Sequence, residues 1–305
     1  MRSLPLPAAI DCCRGCIDYM GIIGNIIHEN MDRIMIRSLL KSNRQRGELD
    51  LKKKLTAIVP DISEQYTAFR LDGDGRYLRE KVRGQHAFQT GLALRAIERF
   101  REEKKVDRVN VVDIGDSAGT HLRYLEGLRE GLRIDIASMS VNLDPEAVKK
   151  IRKQGLHAVQ CRAEDLHQRE DGISADIFLS FEMLEHLFDP ISFLHSLAER
   201  SNCAFFVITV PLVYRSRIGL HHLRRNLPHN FDAENTHILE LCPEDWDLLF
   251  RFSGWEVVFR DRYTQYPGAG LFRLTKYLWR RRDFEGFYGV ILTRNNAWSR
   301  RYRSW

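Results

Sequence analysis

The chain has 305 residues, 44% of them hydrophobic and 29% charged, with a formal net charge of +6. That size and balance suit one large globular domain with additions and exclude disordered and fibrous classes. No run approaches the ~18–20 apolar residues of a membrane-spanning helix, and the six cysteines are too scattered for a disulfide framework.

Pro5 and Pro7 interrupt the short apolar start, so no secretory leader is expected. Cys12, Cys13 and Cys16 have no second pair at metal-finger spacing and read as reduced thiols of a cytoplasmic protein. Over 14–46, Ile17, Met20, Ile23, Ile27, Met31, Ile34 and Leu39 recur at helical spacing. One or two amphipathic helices are expected, packed on the core or paired with a second copy in a homodimer, with a membrane surface as the less favoured alternative. Arg44 to Lys54 reads as a charged, exposed stretch, and Asp72-Gly-Asp-Gly75 as a turn. Residues 1–76 thus form an N-terminal helical extension. Tyr77 to Glu102 follows as a long helix whose Gln85, His86 and Gln89 are expected to be solvated, with facing the site as the alternative.

The next stretch organises the chain. Arg108 to Ile114 is a short β-branched strand, followed by a loop with Gly115 and Gly119 and a helix from Thr120 to Arg129. A strand feeding a glycine loop that opens a helix is a ligand-binding corner, because glycines admit close approach and helix starts offer N–H groups. A second strand, Ile134 to Leu143, ends at Asp144-Pro145, where Asp144 either caps the following helix or grips two hydroxyls of a ligand. Ala158 to Cys161 is a third strand and runs into the loop Ala163 to Leu166. Ala175 to Ser180 is a fourth, followed by Phe181-Glu-Met-Leu-Glu-His186.

After a helix from Ile191 to Arg200 and a fifth strand, Ala204 to Val210, comes a lid-like insert over 211–242. It holds Arg215, Arg217, Arg224 and Arg225 and no acidic residue through 230, which suits an anionic acceptor group. The helix Glu244 to Phe252 and a sixth strand at Gly254 to Phe259 follow. The segment 264–285 is an amphipathic insert with Leu271, Leu274 and Leu278 beside Lys276 and Arg280 to Arg282. It is expected to cover the sheet or to touch an anionic membrane surface. Gly286 to Thr293 is a seventh strand, and 295–305 a basic tail.

Three features in this order, Asp113-x-Gly115-x-Ser117-x-Gly119, Asp144 and Leu184-Glu-His186, resemble the class I S-adenosylmethionine-dependent methyltransferases of type 11 or 23. Ser117 departs from the middle glycine of that pattern. The resemblance implies an α/β fold with a Rossmann-like seven-stranded mixed sheet over 77–294. It further implies that Asp113, Gly115, Asp116, Ser117 and Gly119 hold the amino-acid end of S-adenosylmethionine. Asp144 would hold its ribose, Ala163 and Glu164 would line its adenine, and Phe181 belongs to the same pocket. Glu182-x-x-Glu185-His186 with His237 is similar to the metal-dependent branch seen in ubiquinone-pathway O-methyltransferases and small-RNA terminal 2′-O-methyltransferases. On a helix, positions i, i+3 and i+4 share a face, and two carboxylates with imidazole suit magnesium, manganese or zinc. Without a metal, His186 is the general-base candidate and Glu182 its acidic companion.

The expected function is O-methylation of a hydroxyl on a glycan, a glycolipid precursor or a small metabolite. The alternatives are an RNA ribose 2′-O-methyltransferase and a non-catalytic protein of the same fold. Nucleic acid is disfavoured because no appended module for it is visible, and glycine spacing disfavours a nicotinamide-dependent oxidoreductase. The expected location is the cytoplasm or the inner face of a membrane.

Overall fold

The computed structural model describes residues 30–66, 70–71, 76–168, 173–219, 237–282 and 284–302. The Cys12, Cys13 and Cys16 group, the turn at 72–75 and residues 220–236 of the expected lid lie outside them. Residues 30–46 are helical (α1), followed by α2 (Leu49–Ile58) and α3 (Arg76–Lys104). Then come β1 (Arg108–Ile114), α4 (Thr120–Leu132), β2 (Asp135–Asn142), α5 (Pro145–Lys153), β3 (Ala158–Gln160) and β4 (Ile177–Phe181). The chain continues through α6 (Pro190–Arg200), β5 (Phe205–Pro211), β6 (Arg217–Ile218), β7 (Leu239–Glu240), α7 (Pro243–Phe252) and β8 (Trp255–Thr264). It closes with α8 (Lys276–Arg282) and β9 (Gly286–Arg294).

Seven strands form one sheet in the order β3-β2-β1-β4-β5-β9-β8. The first five are mutually parallel, and β9 runs antiparallel between β5 and β8. This is the Rossmann-like seven-stranded mixed sheet that the resemblance implied. The central strands are buried on both faces, so their side chains alternate between two cores. Val109 and Val111 of β1 meet Phe88, Leu92 and Ile97 of α3, while Val112 and Ile114 belong to the core holding Phe193 and Leu194 of α6 and Trp246 of α7. The order reverses at β1, which lies between β2 and β4. A crevice therefore opens at the carboxyl ends of these strands, where Asp113 sits level with Ser140 of β2 and Leu179 of β4.

The extension departs from the sequence reading in one respect. Arg44 to Lys54 is the end of α1 and the start of α2, and Arg44, Asp50, Lys53 and Lys54 are exposed as expected, whereas Arg46, Glu48 and Lys52 are not. Lys52 is buried and pairs with Glu80 at 2.6 Å, and Arg46 bridges Glu48 and Asp261, each at 2.7 Å. The aliphatic stems cover the core while the charged heads find partners, which a count of charges does not reveal. Met35 and Leu39 of α1 pack on Trp279, so this helix docks on its own chain. None of the helices among the described residues is long and apolar enough to cross a membrane.

Candidate active site

The glycine loop is shaped from within. Asp116 Oδ1 accepts the backbone N–H groups of Ala118 (3.2 Å) and Gly119 (2.8 Å), and Asn142 Nδ2 donates to the Asp116 carbonyl at 3.0 Å. Asp116, expected on the cofactor, therefore spends one oxygen on the N–H groups at the start of α4 that the sequence reading left for a ligand. Burial raises its pKa to about 6 while those N–H groups pull it back. Gly119 has φ +72°, and a Cβ there would lie 2.7 Å from Leu156 Cδ1. Gly115 has φ +95°, and its Cβ would lie 2.8 Å from Met183 Cγ. Only glycine allows the loop to close against both neighbours without strain. Ser117 is half-buried in the same loop.

Asp113 is buried at the end of β1, and among the described residues its Oδ2 has no hydrogen-bond partner. Burial, and secondarily the charge of Asp116, pushes its pKa well above the usual carboxylate range. An orphaned buried carboxylate oxygen calls for a cation, so the ammonium of an amino-acid end fits here. Asp144 is half-buried, and its Oδ1 caps α5 by accepting the Glu146 N–H at 2.9 Å. Ala163 is buried and Glu164 half-buried on a 3-10 turn rather than a plain loop. The buried Phe181 ring lies 4.7 Å from that of His121.

Asp144→Ala is expected to weaken cofactor binding about tenfold to a hundredfold, as hydrogen bonds to a charged group are worth about 1.5–3 kcal/mol. It also removes the cap, at about 1 kcal/mol of stability. Asp144→Asn keeps the cap. Calorimetric titration alongside thermal unfolding should show affinity falling in both variants and stability falling only in the alanine variant.

A buried polar relay joins this end to the acidic end of the site. His121 Nδ1 lies 3.5 Å from Asp113 Oδ2, and its Nε2 lies 3.0 Å from Gln89 Oε1. Gln89 Nε2 donates to Thr209 Oγ1 at 3.0 Å, and the Thr209 hydroxyl acts on the Glu182 carboxyl. Since the Gln89 amide donates to threonine, its oxygen accepts, and His121 must carry its proton on Nε2. Beside it, Arg83 donates to the Tyr124 hydroxyl, which faces His86 Nδ1 at 3.1 Å. The expectation that Gln85, His86 and Gln89 are solvated is thus overturned: all three are buried. For His86 and Gln89 the reason is plain, since their partners lie 38 and 120 residues away.

Burial lowers the His121 pKa to about 3. The folded chain holds it neutral, whereas the unfolded chain binds a proton below about 6.5. Its contribution to stability is complete above pH 6.5 and is lost as pH falls toward 3. His121→Asn should flatten that loss. Denaturant midpoints of the two proteins between pH 7 and pH 4 should converge as the pH drops; parallel curves would contradict a neutral buried His121.

Beyond β4, Glu182 adopts φ +54°, an uncommon backbone for a non-glycine residue, and Leu184–His186 form a 3-10 turn. The expected helical face for Glu182, Glu185 and His186 is not formed. The cluster assembles another way. The Ile238 N–H donates to the Glu185 carbonyl at 2.7 Å, tying the β6–β7 ribbon to this turn. Glu185, His186 and His237 then each offer a ligand atom within 4.8 Å of the others. Glu182 is outside that group, though its charge raises the Glu185 pKa.

The chemistry of these donors fits a divalent cation. Glu185 is 0% exposed, and among the described residues neither of its carboxylate oxygens has a donor. The Glu182 Oε1 is likewise buried and unpaired, and burial lifts that residue's pKa to about 8 against the pull of Thr209 and Lys81. His237 Nδ1 lies 3.0 Å from Oε1 of the buried Glu240, which also pairs with Arg217. A carboxylate behind the imidazole fixes its tautomer and leaves Nε2 for an ion. Phe284 stacks on the His237 ring at 5.3 Å. His121, Thr209, Glu240 and Phe284 carried no sequence signal, because each acts through a neighbour distant in the chain. A second acid–imidazole group, Asp113, Asp116 and His121, is similarly close, but Asp116 Oδ1 is committed to the backbone. A cleft of about 530 Å³ lined by Arg123, Lys150 and Lys153 lies behind the glycine loop, lined by none of these residues.

Residues 112–199 match the family model described as a methyltransferase domain. No curated protein sequence matches the chain. Among solved structures, the chain is similar to an S-adenosylmethionine-dependent methyltransferase from Mesorhizobium loti, with 14% identity over 66% of this chain and 96% of that one and a TM-score of 0.46. It is similar to one from Archaeoglobus fulgidus, with 17% identity over 67% and 94% and a TM-score of 0.44. It is also similar to the 1,6-didemethyltoxoflavin-N1-methyltransferase of Burkholderia thailandensis, with 16% identity over 72% and 85% and a TM-score of 0.43. The matched segment runs from the glycine loop past His186, and with the sheet order it bears out the resemblance to class I S-adenosylmethionine-dependent methyltransferases.

Proposed function

We propose that this methyltransferase-type chain moves the methyl group of S-adenosylmethionine to a hydroxyl oxygen of a glycan, a glycolipid precursor or a small metabolite, beside a divalent ion. The convergence of Glu185, His186 and His237 within 4.8 Å, around a buried carboxylate that lacks donors among the described residues, carries this reading. Asp113 would hold the cofactor's ammonium, Asp144 its ribose, and Ala163, Glu164 and Phe181 the walls around its base. When bound, the cofactor supplies a methyl group already activated by its sulfonium, so the protein's task is alignment. A hydroxyl is a poor nucleophile at neutral pH, and an ion at the acid–imidazole cluster would lower its pKa and orient its oxygen. His186, with Nε2 4.0 Å from Glu185 Oε1, then either ligates the ion or takes the hydroxyl proton itself.

The test is methyl transfer from labelled cofactor to glycolipid, glycan and small-molecule extracts, with short RNAs as a further arm, before and after exhaustive chelation. The proposal expects product in an extract arm, a methyl ether by mass, and loss of turnover on chelation. Undiminished turnover without bound metal leaves His186 as base alone. Tight binding of a nicotinamide dinucleotide, and none of S-adenosylmethionine, overturns the reading.

A further inference from the structure

The segment between β8 and β9 has two faces, and among the described residues only one is packed against the rest of the molecule. Residues Leu271–Thr275 form a 3-10 turn that leads into α8. On the inner face Trp279 is fully buried against Met35 and Leu39, and Thr275 Oγ1 lies 2.8 Å from Ser38 Oγ. Phe272 lies under the Lys41 ammonium, 4.1 Å from its ring centre. On the outer face Leu271, Leu274 and Tyr277 are 80%, 60% and 57% exposed. Their spacing of three stacks them in one row, since side chains at i and i+3 eclipse in a 3-10 turn and are neighbours on a helix. A second row, Arg273, Lys276 and Arg280, runs beside it with Arg281 beyond. No Asp or Glu occurs from 262 to 282. Tyr214, 75% exposed, lies under the Arg280 guanidinium with 5.4 Å between them.

We propose that this outer face docks on an anionic membrane surface. Three neighbouring large apolar side chains held out of the core suit insertion into the headgroup boundary, and the unbroken basic border suits acidic lipids, as in interfacial helices. Arg280 pairs with Glu285, and the remaining charge of Arg273, Lys276 and Arg281 is spread along the row, which complements a diffuse lipid charge rather than a discrete protein epitope. The sequence left packing and membrane contact as rivals; the two faces divide these roles between them. Phe284, two residues beyond α8, stacks on His237, so the docking face adjoins the acid–imidazole cluster. Resting on the proposed methyltransferase function, this places a lipid-carried hydroxyl acceptor at the membrane side of the site.

Flotation of the full chain with vesicles of equal parts phosphatidylglycerol and phosphatidylcholine, against phosphatidylcholine alone, tests the proposal. The chain should float with the acidic vesicles at low salt and be released at high salt, where charge is screened. Each of Arg273→Ala and Lys276→Ala should weaken partitioning about fivefold. Leu271→Glu with Leu274→Glu should abolish flotation while unfolding temperature stays at the parent value, because neither residue is part of the buried core. A parent chain that remains soluble at low salt overturns the proposal, as does a double variant that floats equally well. So does sedimentation showing a lipid-free dimer that the double variant loses, since a second copy is then the occupant. Calorimetry with S-adenosylmethionine on the same preparations separates the two ideas. A chain that floats but binds no cofactor keeps the docking face and loses the methyltransferase reading; the reverse result does the opposite.

Discussion

Glu185→Met is expected to push stability and activity in opposite directions. Glu185 is fully buried, and burial, followed by the nearby charge of Glu182, drives its pKa well above the carboxylate range. A raised folded pKa means that stability present in acid is lost as the pH rises through it. In the ion-free protein, replacement by an apolar side chain of similar length should therefore add about 1–3 kcal/mol near pH 8, the cost of an unsatisfied buried polar group. Near pH 5 it should change little. Methyl transfer should fall about a hundredfold or more, because an ion's charge stabilisation is worth several kcal/mol and each 1.36 kcal/mol is tenfold in rate. Denaturant unfolding at both pH values, beside initial rates, reads this out. A variant destabilised at pH 8 with activity retained would make Glu185 a structural residue.

Gly286→Ala is expected to have the largest effect on folding. A Cβ there would lie 1.8 Å from the Tyr263 carbonyl oxygen and 2.9 Å from Thr264 Cα. Both are backbone atoms of β8, paired with β9 in this register, so no side-chain rotation relieves the clash. Losses above about 4 kcal/mol are exceptional among single substitutions and mark such forced shifts. The same contact closes the hairpin that carries Ser42 and Asn43 of α1, through Thr264 and Tyr263. Thermal unfolding should drop sharply, with Gly131→Ala, whose Cβ meets open space, as the contrasting control. An unchanged Gly286→Ala protein would contradict this strand pairing.

These two residues also show what the sequence could tell. Strand β1 was legible because its apolar residues run on both faces between turn signals, and Asp144 was legible as a helix cap because an acid before proline marks a helix start. Glu182, Glu185, His186 and His237 were named as one group through the resemblance, and the structure brings together the last three. Their geometry was not legible, because Glu182 breaks the helical path at φ +54° and a backbone bond from Ile238 does the assembling. Gln89 and His121 were invisible as partners, since a polar residue inside a long polar helix looks solvated until the fold supplies Thr209 and Asp113. Helix α2 was hidden by its lysines, and Gly286 gave no hint that a carbonyl from another strand would occupy the place of its side chain.

The central claim, an ion held between the acid and the two imidazoles, is tested most directly by titrating the cofactor-saturated chain with Mn²⁺ and following the free ion's electron paramagnetic resonance signal. The account predicts saturation at about one ion per chain, as a single site built on neutral imidazoles and carboxylate requires, and loss of that site in Glu185→Met. A chain with no saturable site, or a variant that binds the same amount, would contradict it.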